Sequence, residues 1–233
     1  MLRIAGLRCS YGRIPVLNDV SITVGAESVG LFGPNGAGKT TLINAIMGIV
    51  RPRAGTIEVE GRDLTRLRTF EIARSGIALV PQERELFPGM SVADNLELGA
   101  AYIPRAQEKV EAQLQVVLGL FPILKERYRQ LVGTMSGGQQ RMVAIARALM
   151  ANPRLLILDE PSLGLQPSIV SEVFEKLAQL KASVSILVTE QNVRESLRAV
   201  DRGYVLENGV VALQDSAAGL ATNPHVVRSY LGI

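Results

Sequence analysis

Cysteine and histidine are nearly missing from this chain of 233 residues, with Cys9 and His225 the sole examples. An internal disulfide is therefore impossible, and a structural zinc site has too few ligands. A reducing cytoplasm fits that usage. No uninterrupted apolar run approaches the roughly 18 residues of a membrane span, and Met1 to Gly6 enters a strand-like pattern rather than an apolar signal region. A dense Lys/Arg block is also absent. The net charge of +3 leaves a mildly basic surface without the footprint of a nucleic-acid binder. Internal repeats and low-complexity tracts are missing too, and 47% hydrophobic with 20% charged residues excludes a disordered chain. One compact globular unit with a substantial core remains.

Along that unit, β-rich runs from Leu2 to Leu7 and Val20 to Val24 flank a turn at Tyr11-Gly12-Arg13 and predict an antiparallel arm. The apolar run Ser28 to Phe32 predicts a buried strand, followed by helical spacing from Thr40 to Gly48. Further strands are expected at Thr56 to Val59 and at Ile77 to Val80, the latter exposing Gln82 at its end. From about residue 85 to 150 the period becomes helical, with Ser91 as an N-cap, one long amphipathic helix from Arg105 to Leu120, and another beginning at Ser136. Strand character resumes at Leu155 to Leu158. A helix from about Ser168 to Leu180, a strand from Val184 to Val188 and a β-rich ending from Tyr204 to Leu213 complete the pattern. The expected fold is α/β: a P-loop core formed by residues 1–84 and 151–233, with an antiparallel β arm and an inserted helical subdomain at 85–150.

Two stretches carry phosphate chemistry. Gly33-Pro34-Asn35-Gly36-Ala37-Gly38-Lys39-Thr40 fits G-x-x-x-x-G-K-[ST], between the expected strand and helix. Glycine lets the backbone curl round a phosphate, and the following helix presents free N–H groups and its positive end. Lys39 supplies a cation for the β- and γ-phosphates, and Thr40 a hydroxyl for Mg²⁺. Thr41 joins the same nucleotide-binding set. Leu155-Leu156-Ile157-Leu158-Asp159-Glu160 is an apolar strand tipped by two carboxylates, which suits Asp159 to a bound metal and Glu160 to accepting a proton from an attacking water. The second anion-ready terminus is Ser136-Gly137-Gly138-Gln139, where small residues let a helix end approach a charge closely.

With Ser136 to Gln139 placed about twenty residues before the acidic strand, the chain resembles the ABC ATPases along essentially its whole length. Gly33 to Thr40 matches that family's Walker A, Leu155 to Glu160 its Walker B, Ser136 to Gln139 its signature, and Gln82 its Q-loop. Tyr11 matches the aromatic residue that stacks on adenine. The resemblance implies an ATP- and Mg²⁺-dependent ATPase in which Glu160, Lys39 and Gln82 are catalytic and Thr40, Gln82 and Asp159 hold the metal. It also implies a head-to-tail dimer with a related ATPase subunit or a second copy, each ATP lying between one subunit's Walker A and the other's signature. Two membrane permease subunits, and indirectly a solute-binding protein, complete such an assembly on the cytoplasmic face. The surface near Glu85, Leu86 and Phe87 would receive a coupling helix.

Two positions depart from the family pattern. Val188-Thr189-Glu190-Gln191-Asn192 places Glu190 where a histidine usually contacts the γ-phosphate, and a carboxylate there would repel phosphate unless it is protonated, bridged or turned aside. Gln166 stands where the D-loop usually ends in aspartate. These features, with the end Val226 to Gly232, resemble the smaller ATP-binding subunit of branched-chain amino-acid importers. Urea or amide importers, and a nucleotide-gated clamp with little turnover, remain alternatives. A soluble family member acting on nucleic acid would usually show paired cassettes or a basic extension, which this chain lacks.

Overall fold

The computed structural model describes residues 1–231. β1 (Leu2–Tyr11) and β2 (Ile14–Val24) form a hairpin, followed by β3 (Ser28–Phe32), α1 (Lys39–Ile46), β4 (Ala54–Val59), β5 (Arg62–Asp63), α2 (Thr69–Arg74) and β6 (Ile77–Val80). Helices α3 (Val92–Ala100), α4 (Pro104–Gln107), α5 (Val110–Leu120) and α6 (Pro122–Glu126) precede α7 (Gly137–Met150). The chain returns through β7 (Leu155–Asp159), α8 (Pro167–Leu180), β8 (Ser185–Glu190), α9 (Val193–Ser196), the hairpin β9 (Arg202–Glu207) and β10 (Val210–Ser216), α10 (Ala217–Thr222) and α11 (Pro224–Val226).

Two sheets result. The arm is antiparallel, in the order β2-β1-β4-β5, and the second sheet runs β10-β9-β3-β8-β7-β6. In that second sheet β9, β3, β8, β7 and β6 are parallel and β10 alone is antiparallel to its neighbour. Its central strands are apolar on both faces because each face is covered. Leu155, Ile157, Leu187, Val29 and Leu31 join one buried cluster with the arm and with Leu42, Ile43 and Ile46 of α1. The alternating residues Leu156, Leu158, Ile186, Val188 and Phe32 join the other, with α3, α5, α7 and α8. Period-two alternation thus sends neighbouring side chains into different cores.

The helices owe their ends to local chemistry. Ser91 accepts from the backbone N–H of Asp94 while the Asp94 carboxylate accepts from the Ser91 N–H, and Ser136 and Gln139 form the same reciprocal box at the start of α7. On α8, Val170, Val173, Phe174, Leu177 and Leu180 make one buried stripe. The expected single helix from Arg105 to Leu120 is instead two. Lys109 leaves helical geometry at φ −131° and so separates the two helices, although α4 through Ala106 and α5 through Val117 and Leu118 pack into the same core. The arm strands extend further than alternation alone suggests, meeting at Tyr11 opposite Ile14. The short helix α2 had no periodic signal long enough to announce it. Of the C-terminal stretch expected to carry subgroup character, Gly232 lies outside the described residues.

Candidate active site

The carboxyl ends of four parallel strands converge, the usual place for a ligand in such a sheet. β3 leads into the glycine-rich loop, β6 into Pro81 and Gln82, β7 ends at Asp159 beside Glu160, and β8 ends at Thr189 and Glu190. An open cleft of about 470 Å³ lies there, lined by Val16, Asn35, Gly36, Gly38, Lys39, Thr40, Thr41, Gln82, Glu160 and Leu163. The loop, Lys39, the Thr40 hydroxyl, the Gln82 amide and the Glu160 carboxylate are therefore assembled in one place from residues far apart in sequence.

The loop's own geometry explains its residues. Gly38 precedes α1 with φ of +108°, and a Cβ there would lie 2.6 Å from Leu17 Cδ2, so both backbone and space demand glycine. No side chain caps α1, which leaves its first N–H groups free for an anion. The carbonyls of Gly33 and Pro34 accept from Lys39 Nζ at 2.7 and 3.2 Å, and Ala37 accepts the Gly209 N–H at 3.0 Å. Gly33, Pro34 and Ala37 thus build the cradle, while Asn35, Gly36 and Gly38 line it.

Lys39 is 4% exposed and its Nζ lies 3.2 Å from Glu160 Oε1. Glu160 itself adopts φ of +46°, a left-handed conformation that a non-glycine residue holds only when its surroundings impose it. Thr189 is one such surrounding, a contact that no motif announces. Its carbonyl and its Oγ1 both accept the Glu160 N–H at 3.1 Å, and its hydroxyl donates to Asp159 Oδ1 at 2.6 Å. That leaves Asp159 Oδ2, with the Thr40 hydroxyl and the Gln82 amide oxygen, as hard oxygen donors.

Gln82 is anchored from behind. Arg141 of α7, 1% exposed, donates to Pro81 O at 3.0 Å and Gln82 O at 2.9 Å, and Arg84 donates to Gln140 Oε1 at 2.9 Å. The helix that starts at Ser136 is therefore tied to the strand end carrying Gln82. A charged residue between buried apolar neighbours, such as Arg141 before Met142 and Val143, was the available signal.

Ser136, Gly137, Gly138 and Gln139 are not among the residues lining the cleft. They sit at the start of α7, where a Cβ on Gly138 would approach Ile169 Cγ2 to 2.7 Å. Tyr11 stands at the tip of the arm, 49% exposed, and Val16 of the same hairpin is the residue that reaches the cleft. Arg53 donates to Gly12 O and pins that turn. Glu190 does not face the cleft: its two oxygens accept the Ser162 N–H at 2.9 Å and hydroxyl at 2.8 Å. The repulsion expected of a carboxylate at that position is avoided by turning it aside. Burial holds its carboxyl above the ordinary carboxylate value, with the Ser162 and Asn192 hydrogen bonds pulling the other way and Glu160 adding a smaller upward push.

The sequence model of the ABC transporter family matches residues 17–163, which spans the phosphate loop, the helix from Ser136 and the acidic strand. This chain belongs to the ABC transporter ATP-binding cassettes. The cassette is 46% identical over 224 residues to the high-affinity branched-chain amino acid transport ATP-binding protein BraG of Pseudomonas aeruginosa, covering 95% of each chain. It is 40% identical to the lipopolysaccharide export system ATP-binding protein LptB of Acidithiobacillus ferridurans, covering 100% of this chain and 97% of that one. Among solved structures, the ADP conformation of MJ1267, an ATP-binding cassette of an ABC transporter, superposes with a TM-score of 0.88 at 28% identity over 100% of this chain and 99% of that one. As an ABC cassette, the chain binds nucleotide and hydrolyses ATP. Among the described residues, no helix is long and apolar enough to cross a membrane.

Proposed function

We propose that this cassette powers uptake of branched-chain amino acids through separate membrane subunits, working on the cytoplasmic face as half of a head-to-tail ATPase dimer. The observation that carries the dimer is spatial: Lys39, Thr40, Gln82 and Glu160 line one cleft, while the capped helix start at Ser136 to Gln139 lies outside it. A phosphate held by the first group meets the second only when another copy or a related ATPase supplies it.

Within the site, the loop N–H groups and Lys39 bind the triphosphate, Tyr11 stacks on adenine, and Thr40, Gln82 and Asp159 would hold Mg²⁺. Bound there, Mg²⁺ would supply positive charge that neutralises the phosphates. Glu160 accepts a proton from the water whose oxygen bonds to the γ-phosphorus, as the bond to the bridging oxygen breaks and ADP and phosphate form. The helical segment at 85–150 carries Ser136 and, at Glu85 and Phe87, the groove toward the membrane subunits.

Identity to BraG supports amino-acid import, and identity to LptB keeps lipopolysaccharide export as the second reading. Of the two departures behind the clamp alternative, Glu190 is held by Ser162 instead of opposing phosphate, which weakens that reading, while Gln166 keeps its place in it. The deciding experiment co-expresses the chain with candidate membrane subunits, reconstitutes the purified complex in proteoliposomes and follows labelled leucine. ATP-dependent accumulation supports the proposal. Hydrolysis stimulated by lipopolysaccharide but not by leucine and its binding protein overturns it. Glu160→Gln with ATP and Mg²⁺ is expected to run as a dimer in light scattering, with turnover down about a hundredfold or more; a monomer there would sink the shared site.

A further inference from the structure

Glu190 is 2% exposed, and a carboxylate so deeply buried persists only where its oxygens are satisfied. Ser162 reaches both of them, through its N–H at 2.9 Å and its hydroxyl at 2.8 Å. The adjacent Thr189 takes the Glu160 N–H at 3.1 Å. Two consecutive residues of β8 therefore grip the chain on both sides of the Glu160 side chain: Thr189 at its own N–H, Glu190 two residues later. Between the grips lie the left-handed Glu160, at φ +46°, and Pro161, whose ring restricts its backbone further. The turn is closed by Leu163 N–H donating to Glu160 O at 3.1 Å, and Leu163 itself lines the nucleotide cleft.

We infer that Glu190 is a positioning residue for ATP hydrolysis: its two-point hold on Ser162 fixes the loop after Glu160 and so aims the Glu160 carboxylate into the cleft. Without that hold, the loop relaxes from an unfavourable backbone conformation, and a carboxylate displaced by even an ångström loses its alignment with the attacking water. Glu190 touches neither nucleotide nor metal; it acts through Ser162 and Glu160. The inference rests on Glu160 as the base and is indifferent to the solute carried.

The test uses the full-length chain and measures kcat and KM for ATP in Ser162→Ala, Glu190→Gln, the double variant and Glu160→Gln. Ser162→Ala removes one hydroxyl from a half-buried loop, so it reports even if Glu190→Gln folds poorly. Each single change is expected to lower kcat about tenfold with KM within twofold, and the double to be no slower than the slower single. A role in folding alone would lower the melting temperature and the active fraction while leaving kcat per folded molecule unchanged. That result, wild-type kcat in Ser162→Ala, or losses that multiply in the double, overturns the proposal while Glu160→Gln stays inactive. Wild-type turnover in Glu160→Gln would overturn the base assignment and this inference with it.

Discussion

Lys39 and Glu160, the cation proposed for phosphate and the carboxylate proposed for water, hold each other at 3.2 Å with side chains 4% and 10% exposed. The ammonium is shared with the carbonyls of Gly33 and Pro34 at 2.7 and 3.2 Å, so it is satisfied on three sides within the loop it serves. A bound triphosphate competes for the same cation, which would free Glu160 to face water.

Removing one partner of such a pair costs more than removing both, because a lone buried charge remains. Lys39→Ala is expected to lower unfolding free energy by about 3 kcal/mol in urea titrations without nucleotide, and Lys39→Ala with Glu160→Gln to recover most of that loss. Neither protein should hydrolyse ATP. Additive stability losses would show that the two side chains are not coupled.

Thr189→Val keeps the shape but removes the donor to Asp159 Oδ1 and one acceptor of the Glu160 N–H. A stability loss of about 1–2 kcal/mol is expected, since a carbonyl still holds that N–H. The more telling measurement is a Mg²⁺ titration of ATPase rate. Half-saturation should move several-fold higher, because an unoriented carboxylate binds metal less well; an unchanged curve would show that the strand alone orients Asp159.

Arg141 reaches from α7 to two successive carbonyls with its planar fork, at 3.0 and 2.9 Å. Arg141→Lys keeps the charge but cannot span both acceptors. It should cost about 2 kcal/mol and lower kcat, because Gln82 loses its anchor to the helix that begins at Ser136. Chemical denaturation and steady-state ATPase rates check the two parts separately.

Glu190 gives the protein a definite pH response. Its folded-state carboxyl titrates above the ordinary value, chiefly because it is buried, so between those two values the folded state holds a proton that the unfolded chain has released. Its contribution to stability is therefore greatest below the ordinary carboxylate value and is lost as pH rises through the raised one. The Ser162 donors and the nearby Arg141 limit the loss, and Glu160 adds to it. Glu190→Gln has no such titration. Urea denaturation from pH 5 to 8 should show the wild type losing stability relative to Glu190→Gln as pH rises; parallel curves would mean that the carboxyl titrates normally.

Much of the site was legible in the residues themselves. The run Gly33 to Thr40 announces its conformation locally, because a glycine-rich backbone followed by an uncapped helix start makes an open loop of that kind. Ser91 and Ser136 announced their helices through boxes closed within four residues. The split at Lys109 was not legible, since α4 and α5 satisfy the same helical period and bury Ala106, Val117 and Leu118 in the same core, so that only the backbone turn at Lys109 divides them.

The amino-acid order by itself determined the chemistry on offer: a phosphate loop, a strand tipped by Asp159 and Glu160, a capped helix rich in small residues, and the order strand, loop, helix that presents them. Only the tertiary structure decided who holds whom. Alternating apolar residues say which face a strand side chain takes, but not which strand lies beside it. It is the placing of β8 between β3 and β7 that brings Thr189 to Asp159 across 30 residues and Glu190 to Ser162 across 28. Short-range order can be written in neighbouring residues; these contacts depend on the pairing of distant strands, and so they emerge only when the sheet has closed.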